Sequence, residues 1–159
     1  MTATLPALSL GEKFPSKGEA LSTQFVSLTI DGQRFGILVL DVEDVIEPTN
    51  ITPIPKAPPE VRGLINLRGR IVTVIDMRVR LGLAKKDDDE IGRSVVVTHD
   101  DQLYSLAVDA VGDVIVLENR LYEPNPVNLS PAWQEVSAGV YRLESELMIV
   151  LEVDKILKF

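Results

Sequence analysis

From Gln24 onward, hydrophobic and polar positions alternate in short β-branched runs separated by two-residue turn signals. That period reads as amphipathic strands joined into hairpins. Residues 25–30 and 34–40 flank Asp31-Gly32, a pair suited to a type I′ turn because both central residues need positive φ. Residues 63–67 and 70–75 flank Arg68-Gly69, residues 94–98 and 103–108 flank Asp100-Asp101, and residues 140–143 and 146–151 flank Glu144-Ser145. Short helices punctuate these runs. Asp41 is placed to cap a helix over 42–46, with Asp44 near the capping-box position and Pro48 as its stop. Asp76 is placed to cap 77–81, with Gly82 at the left-handed C′ position. Ser130-Pro131 opens a third turn. None is long enough to stand alone, so each must dock on the strands.

The hairpins are related in pairs. Thr29-Ile30-Asp31-Gly32-Gln33-Arg34-Phe35-Gly36-Ile37 lies against Thr98-His99-Asp100-Asp101-Gln102-Leu103-Tyr104-Ser105-Leu106 without a gap. Val39, Val42, Asp44, Val45 and Ile46 then face Val108, Val111, Asp113, Val114 and Ile115. Gly63, Leu67, Val74, Asp76 and Leu81 sit opposite Gly139, Leu143, Val150, Glu152 and Leu157. The pattern predicts a duplication of a β unit of about five strands, too long and too few in copies for a solenoid. The halves run from about 24 to 83 and from 93 to 159 within one domain spanning 23–159, and strands at their ends are free to cross between them. Residues 1–22 mix Pro, Ser, Gly and Lys without periodicity and read as a flexible leader. The acidic run 85–90 reads as a surface loop between the halves. The Pro-rich stretch 52–59 reads as a stiff connector or as a ligand for an aromatic groove.

Composition removes most chemistry. A chain of 159 residues is of single-domain size. Its net charge of -8 repels phosphate backbones, so nucleic-acid binding would need a concentrated basic patch. Cysteine is absent, which excludes disulfides, thiolate catalysis and zinc-thiolate sites. There is no phosphate-cradling glycine loop. The lone histidine, His99, reads as a solvated turn residue. A calcium loop begun at Asp87 would place Ile91 and Thr98 at ligand positions neither can serve. The expectation is therefore no catalytic residue, no metal and no cofactor. Apolar runs fall far short of the ~20 residues needed to span a bilayer.

One charge cluster stands out: Arg62, Arg68, Arg70, Arg78 and Arg80 crowd a span whose only acid is Asp76. It reads as a solvated face, as a protein interface, or as the basic patch of a small β-barrel nucleic-acid-binding module. The last reading lacks the aromatic residues that would stack on bases.

The segment Gly63-Leu64-Ile65-Asn66-Leu67-Arg68-Gly69, followed by Val74-Ile75-Asp76-Met77-Arg78, resembles the hallmark stretch of the CheW family of bacterial chemotaxis coupling proteins. Phe35-Gly36-Ile37 leading to Val42-Glu43-Asp44-Val45-Ile46 is similar too, as are Val108-Asp109-Ala110-Val111 and the closing Leu147-Met148-Ile149-Val150-Leu151. Thr73 stands where the family often has proline and Met77 where it usually has leucine. The resemblance implies a mainly β fold of two SH3-like five-stranded barrels on a shared hydrophobic core, with a few short helices. It also implies a non-catalytic scaffold between chemoreceptor signalling tips and the regulatory domain of the histidine kinase CheA. That scaffold would be cytoplasmic, held in arrays beneath the inner membrane without inserting into it. Carried over by position, Val42 in the first short helix and Ala107 and Val108 on the third hairpin would line the receptor groove. Arg68 would couple receptor to kinase.

Overall fold

Turn chemistry sets the hairpins. Asp31 and Gly32 have φ of 52° and 78°, Arg68 and Gly69 have 52° and 84°, and Asp100 and Asp101 have 49° and 63°. Paired positive φ values match the right-handed twist of the strands they join. The fourth turn closes with the Leu143 amide donating to the Glu146 carbonyl at 2.7 Å. The computed structural model describes residues 21–85 and 92–159. In it these turns join β1 (Ser22–Ile30) to β2 (Gln33–Leu38), β4 (Val61–Leu67) to β5 (Arg70–Asp76), β6 (Arg93–His99) to β7 (Gln102–Val108), and β10 (Ser137–Arg142) to β11 (Leu147–Leu151). The expected leader lies almost wholly outside the described residues, as does the acidic loop from residue 86 onward. Strand β1 starts at Ser22, which pairs with Glu118, two residues earlier than the hydrophobic pattern indicates.

Three further strands are β3 (Val42–Ile46), β8 (Ala110–Glu118) and β9 (Tyr122–Glu123). The expected helix over 42–46 is not formed. Residues Val39–Asp41 make a single 3-10 turn, and Val42–Ile46 pairs antiparallel with β6 as an edge strand. The reason is local and tertiary together. Val42, Val45 and Ile46 are β-branched, five residues cannot nucleate a helix unaided, and β6 offers a free row of backbone partners. The Asp76 cap does form: its carboxylate accepts from the Arg78 and Val79 amides at the start of α1 (Met77–Arg80), and Gly82 follows at φ +76°. Two more one-turn helices, α2 (Pro131–Gln134) and α3 (Val153–Ile156), and a second 3-10 turn at Asn119–Leu121 complete the described elements.

The strand order is β8-β1-β2-β11-β10-β9 in one sheet and β3-β6-β7-β5-β4 in the other. Set against the duplication, the two orders are the same, with β9 as an addition. Each sheet, however, draws on both halves of the chain. The β1–β2 hairpin sits between β8 and β11, with β2 parallel to β11, while β6–β7 sits between β3 and β5, with β7 parallel to β5. The matched Gly63 and Gly139 both have φ near +150°, and a Cβ at either would collide with the strand alongside, at Thr52 or Tyr122. Both halves thus place a glycine, in a conformation that a side chain would strain, at the matched position.

The protein is mainly β. Neither sheet closes on itself in hydrogen-bonded order, but each wraps a small core of its own, consistent with an SH3-like barrel. Phe25, Leu38, Tyr141, Met148 and Val150 fill one; Ile65, Val72, Val74, Val96, Leu103 and Ala107 fill the other. Between them lies a larger core to which both sheets and helices α1 and α3 contribute, including Leu28, Phe35, Ile37, Met77, Val95, Leu106, Val140, Ile149 and Ile156. Trp133 on α2 lies over Phe35 with ring centroids 5.4 Å apart and donates its indole N–H to the Leu81 carbonyl.

Candidate functional site

The arginine cluster is divided by the fold. Arg62 lies at a β-bulge, where the register of β4 on β5 shifts between Val61 and Gly63, and its side chain meets Asp76 in a 2.8 Å ion pair only 3% and 6% exposed. Arg78 holds Asp109 through two nitrogens at 2.9 and 2.7 Å, with Asp31 at 3.6 Å; those bonds push its ionisation further above the usual arginine range. Arg80 is buried and donates to the carbonyls of Ile156, Lys155 and Lys158 at 2.8–3.0 Å, which serves the C-terminal end of α3. Only Arg68 and Arg70 are exposed. The basic-patch reading therefore fails, because three of its five members are engaged in structural contacts.

Arg68 occupies the tip of the β4–β5 hairpin. The Asn66 side chain accepts the Gly69 amide at 2.9 Å, Leu67 packs toward the small core of its sheet, and Gly69 supplies the second positive φ. Asn-Leu-Arg-Gly is thus a turn that fastens itself and points one guanidinium outward. Its Nη2 lies 2.8 Å from Asp44 Oδ2 on β3. Arg68, followed by the Val45 amide, holds the Asp44 carboxyl below the usual carboxylate range. The pair borders a recess of about 220 Å³ floored by Leu67, Val96 and Leu103, with Glu43 and Arg70 on its rim.

The other sequence-predicted residues sit on other strands than the Arg68 hairpin. Val42 is half-buried on β3, opposite Val97, and packs on the shared core. Ala107 and Val108 are 7% and 4% exposed within β7, a central strand flanked by β6 and β5. The surface that sequence reasoning missed is β8. Ile115 and Leu117 face the core of their own sheet, whereas Val114 and Val116 turn to the opposite face and stay 54% and 57% exposed. Val114 pairs with Val26, which shares its face of β1 with Leu28 and Ile30 of the large core. The open valines therefore border the seam between the sheets. Val111 on β8 and its duplicate Val42 on β3 each rest on that same core. Four successive apolar residues, 114–117, were the available signal: such a run asks for cover on both faces, and an edge strand supplies it on one.

His99 is not the free turn residue expected. Its Nδ1 lies 2.9 Å from Asp154 of α3 and its Nε2 3.3 Å from Asp100, so it ties the β6–β7 turn to the C-terminal helix. Among the described residues, no group of three or more His, Asp or Glu side chains is arranged to hold a metal. No helix there is long and apolar enough to cross a membrane.

Residues 24–159 match the model of the CheW-like domain. The chain belongs to the CheW-like family. It is 34% identical over 137 residues to the chemotaxis protein CheW of Thermotoga maritima, covering 85% of this chain and 87% of that one. It is 29% identical over 150 residues to chemotaxis protein CheW of Helicobacter pylori, covering 94% and 89%. The crystal structure of the scaffolding protein TtCheW from Thermoanaerobacter tengcongensis superposes with a TM-score of 0.79 at 27% identity, covering 87% of this chain and 94% of that one. The chain is accordingly a chemotaxis coupling adaptor, a CheW-type scaffold and not an enzyme. The nucleic-acid alternative finds no support.

Proposed function

We propose that this adaptor joins chemoreceptor signalling tips to the regulatory domain of the histidine kinase CheA, in cytoplasmic arrays at the inner membrane. The observation that carries the reading is the exposed Val114–Val116 stripe beside the seam. An apolar edge left open next to a large core suits an amphipathic helix laid in a groove. Val42 and Val111 border that groove in this reading. Ala107 and Val108, buried in β7, act on its shape from beneath and not by direct contact. Arg68, held over the recess by Asp44, is the polar coupling point. An exposed ion pair of this kind is worth only ~0.2–1 kcal/mol, so a partner can break or rebuild it at small cost. Affinity at each surface need not be high, since an array gains avidity from repeated contacts.

The test is binding of a purified receptor tip fragment to the intact chain and to Val114→Glu and Arg68→Ala. Val114→Glu is expected to lose receptor binding with its melting temperature nearly unchanged, because a charge cannot be desolvated in an apolar groove without a partner. Arg68→Ala is expected to keep receptor binding and lose receptor-dependent kinase activation. Undiminished receptor binding by a folded Val114→Glu chain overturns the groove assignment.

A further inference from the structure

Each sheet of this molecule is completed by a hairpin from the other half of the chain. Without residues 92–159, β1–β2 loses both lateral neighbours, β8 and β11, while β3 and the β4–β5 hairpin lose the strands that join them. Without residues 1–85 the same happens in mirror order. The large core is shared in the same way, with seven buried members from the first half and ten from the second among the described residues. Polar ties cross as well: Arg78 to Asp109, Arg80 to the carbonyls at the end of α3, and the Trp133 indole to the Leu81 carbonyl. None of these contacts uses the covalent connection between Lys85 and Gly92.

We propose that residues 1–85 and 92–159 are reciprocal half-molecules, each the obligate binding partner of the other, that hold the native fold with no covalent link between them. The inference rests on strand order and core sharing alone and is independent of the receptor and kinase assignment. An exchange of identical elements between like units is a low-cost route to a paired fold, and here both units lie in one chain. Open sheet edges on either half alone would be left seeking strands. The two sheets therefore act as one cooperative body, so an event at β8 and an event at Arg68 are felt by the same packed unit.

The experiment uses the full chain with a specific protease site in place of residues 86–90, folded first and then cut. The fragments are expected to migrate together at the mass of the uncut chain at roughly micromolar concentration. Trp133 emission should be unchanged, and the single melting transition should become dependent on protein concentration, as for a bimolecular complex. Separation of the fragments in native buffer overturns the proposal, as does a fragment that refolds its own sheet alone. Should the modified chain not fold before cutting, hydrogen exchange on the unmodified chain decides. Amides of β1–β2 and β6–β7 are expected to exchange through one shared opening, and a separate, weaker opening for either sheet overturns the proposal.

Discussion

Asp76 serves two structures at once, and replacing it separates their energies. One oxygen accepts from Arg62 Nε at 2.8 Å with both side chains almost wholly buried; the other accepts the Arg78 and Val79 amides that begin α1. Removing one partner of a buried ion pair costs about 3–5 kcal/mol, because the remaining charge stays desolvated. Losing an N-cap acceptor costs about 1 kcal/mol more. Asp76→Ala should therefore destabilise by about 4–6 kcal/mol. Asp76→Asn, which keeps a capping oxygen, should cost about 1 kcal/mol less. Replacing both partners with neutral groups, Arg62→Met with Asp76→Asn, should recover much of the loss, since no charge is then buried. Urea unfolding at neutral pH reads all three directly. In a chain of this size each kcal/mol moves the melting temperature by about 2–4 °C, so Asp76→Ala should melt roughly 10–20 °C lower. A loss under about 1 kcal/mol in Asp76→Ala, or a double variant worse than either single one, would refute the reasoning.

Three other outcomes follow from the same structure. Gly63→Ala should cost more than the about 1 kcal/mol expected of Gly69→Ala: both have positive φ, but a Cβ at 63 meets the Thr52 carbonyl and one at 69 meets open space; equal losses by chemical denaturation contradict this. Arg80→Lys should cost about 1–3 kcal/mol and speed hydrogen exchange at residues 155–158, because an ammonium cannot fork across three carbonyls; unchanged exchange there contradicts it. Burial, aided by Glu152, pushes the Tyr122 phenol up to about 12, and Tyr141 is raised too. Raised folded values favour the neutral form, so this stability is full below pH 10 and lost as pH climbs toward 12; Tyr122→Phe should flatten that decline, and an unaltered pH profile contradicts the assignment.

How much of this was readable in advance depends on whether the signal was local. The hairpins were, because Asp31-Gly32 and Arg68-Gly69 specify turn geometry within two residues. The Asp76 cap and Gly82 stop were local too. Strand β3 was misread because Asp41, Asp44 and Pro48 mimic helix punctuation, while the deciding influence, the free edge of β6, lies some fifty residues away. The exchange of hairpins left no local trace: β2 beside β11 and β7 beside β5 are long-range parallel pairings that the duplication permits but does not name. The arginines show both limits. Arg62 near Asp76 was legible only as far as the hairpin carries both toward its open end, because plain register from the turn sets Arg62 against Ile75 and a bulge between Val61 and Gly63 redirects it. Arg80 at the end of α3 was not, since nothing near it in sequence announces its carbonyl partners. Val114 and Val116 were visible as part of an apolar run, but their exposure depends on β8 being an edge.

The most direct test of the scaffold account is kinase activity in a reconstituted mixture of CheA, a receptor signalling fragment and this chain. The account predicts that ATP consumption by the kinase rises sharply only when receptor fragment and chain are both present, and that the chain alone consumes none. Kinase activity that is the same with and without the chain would contradict it.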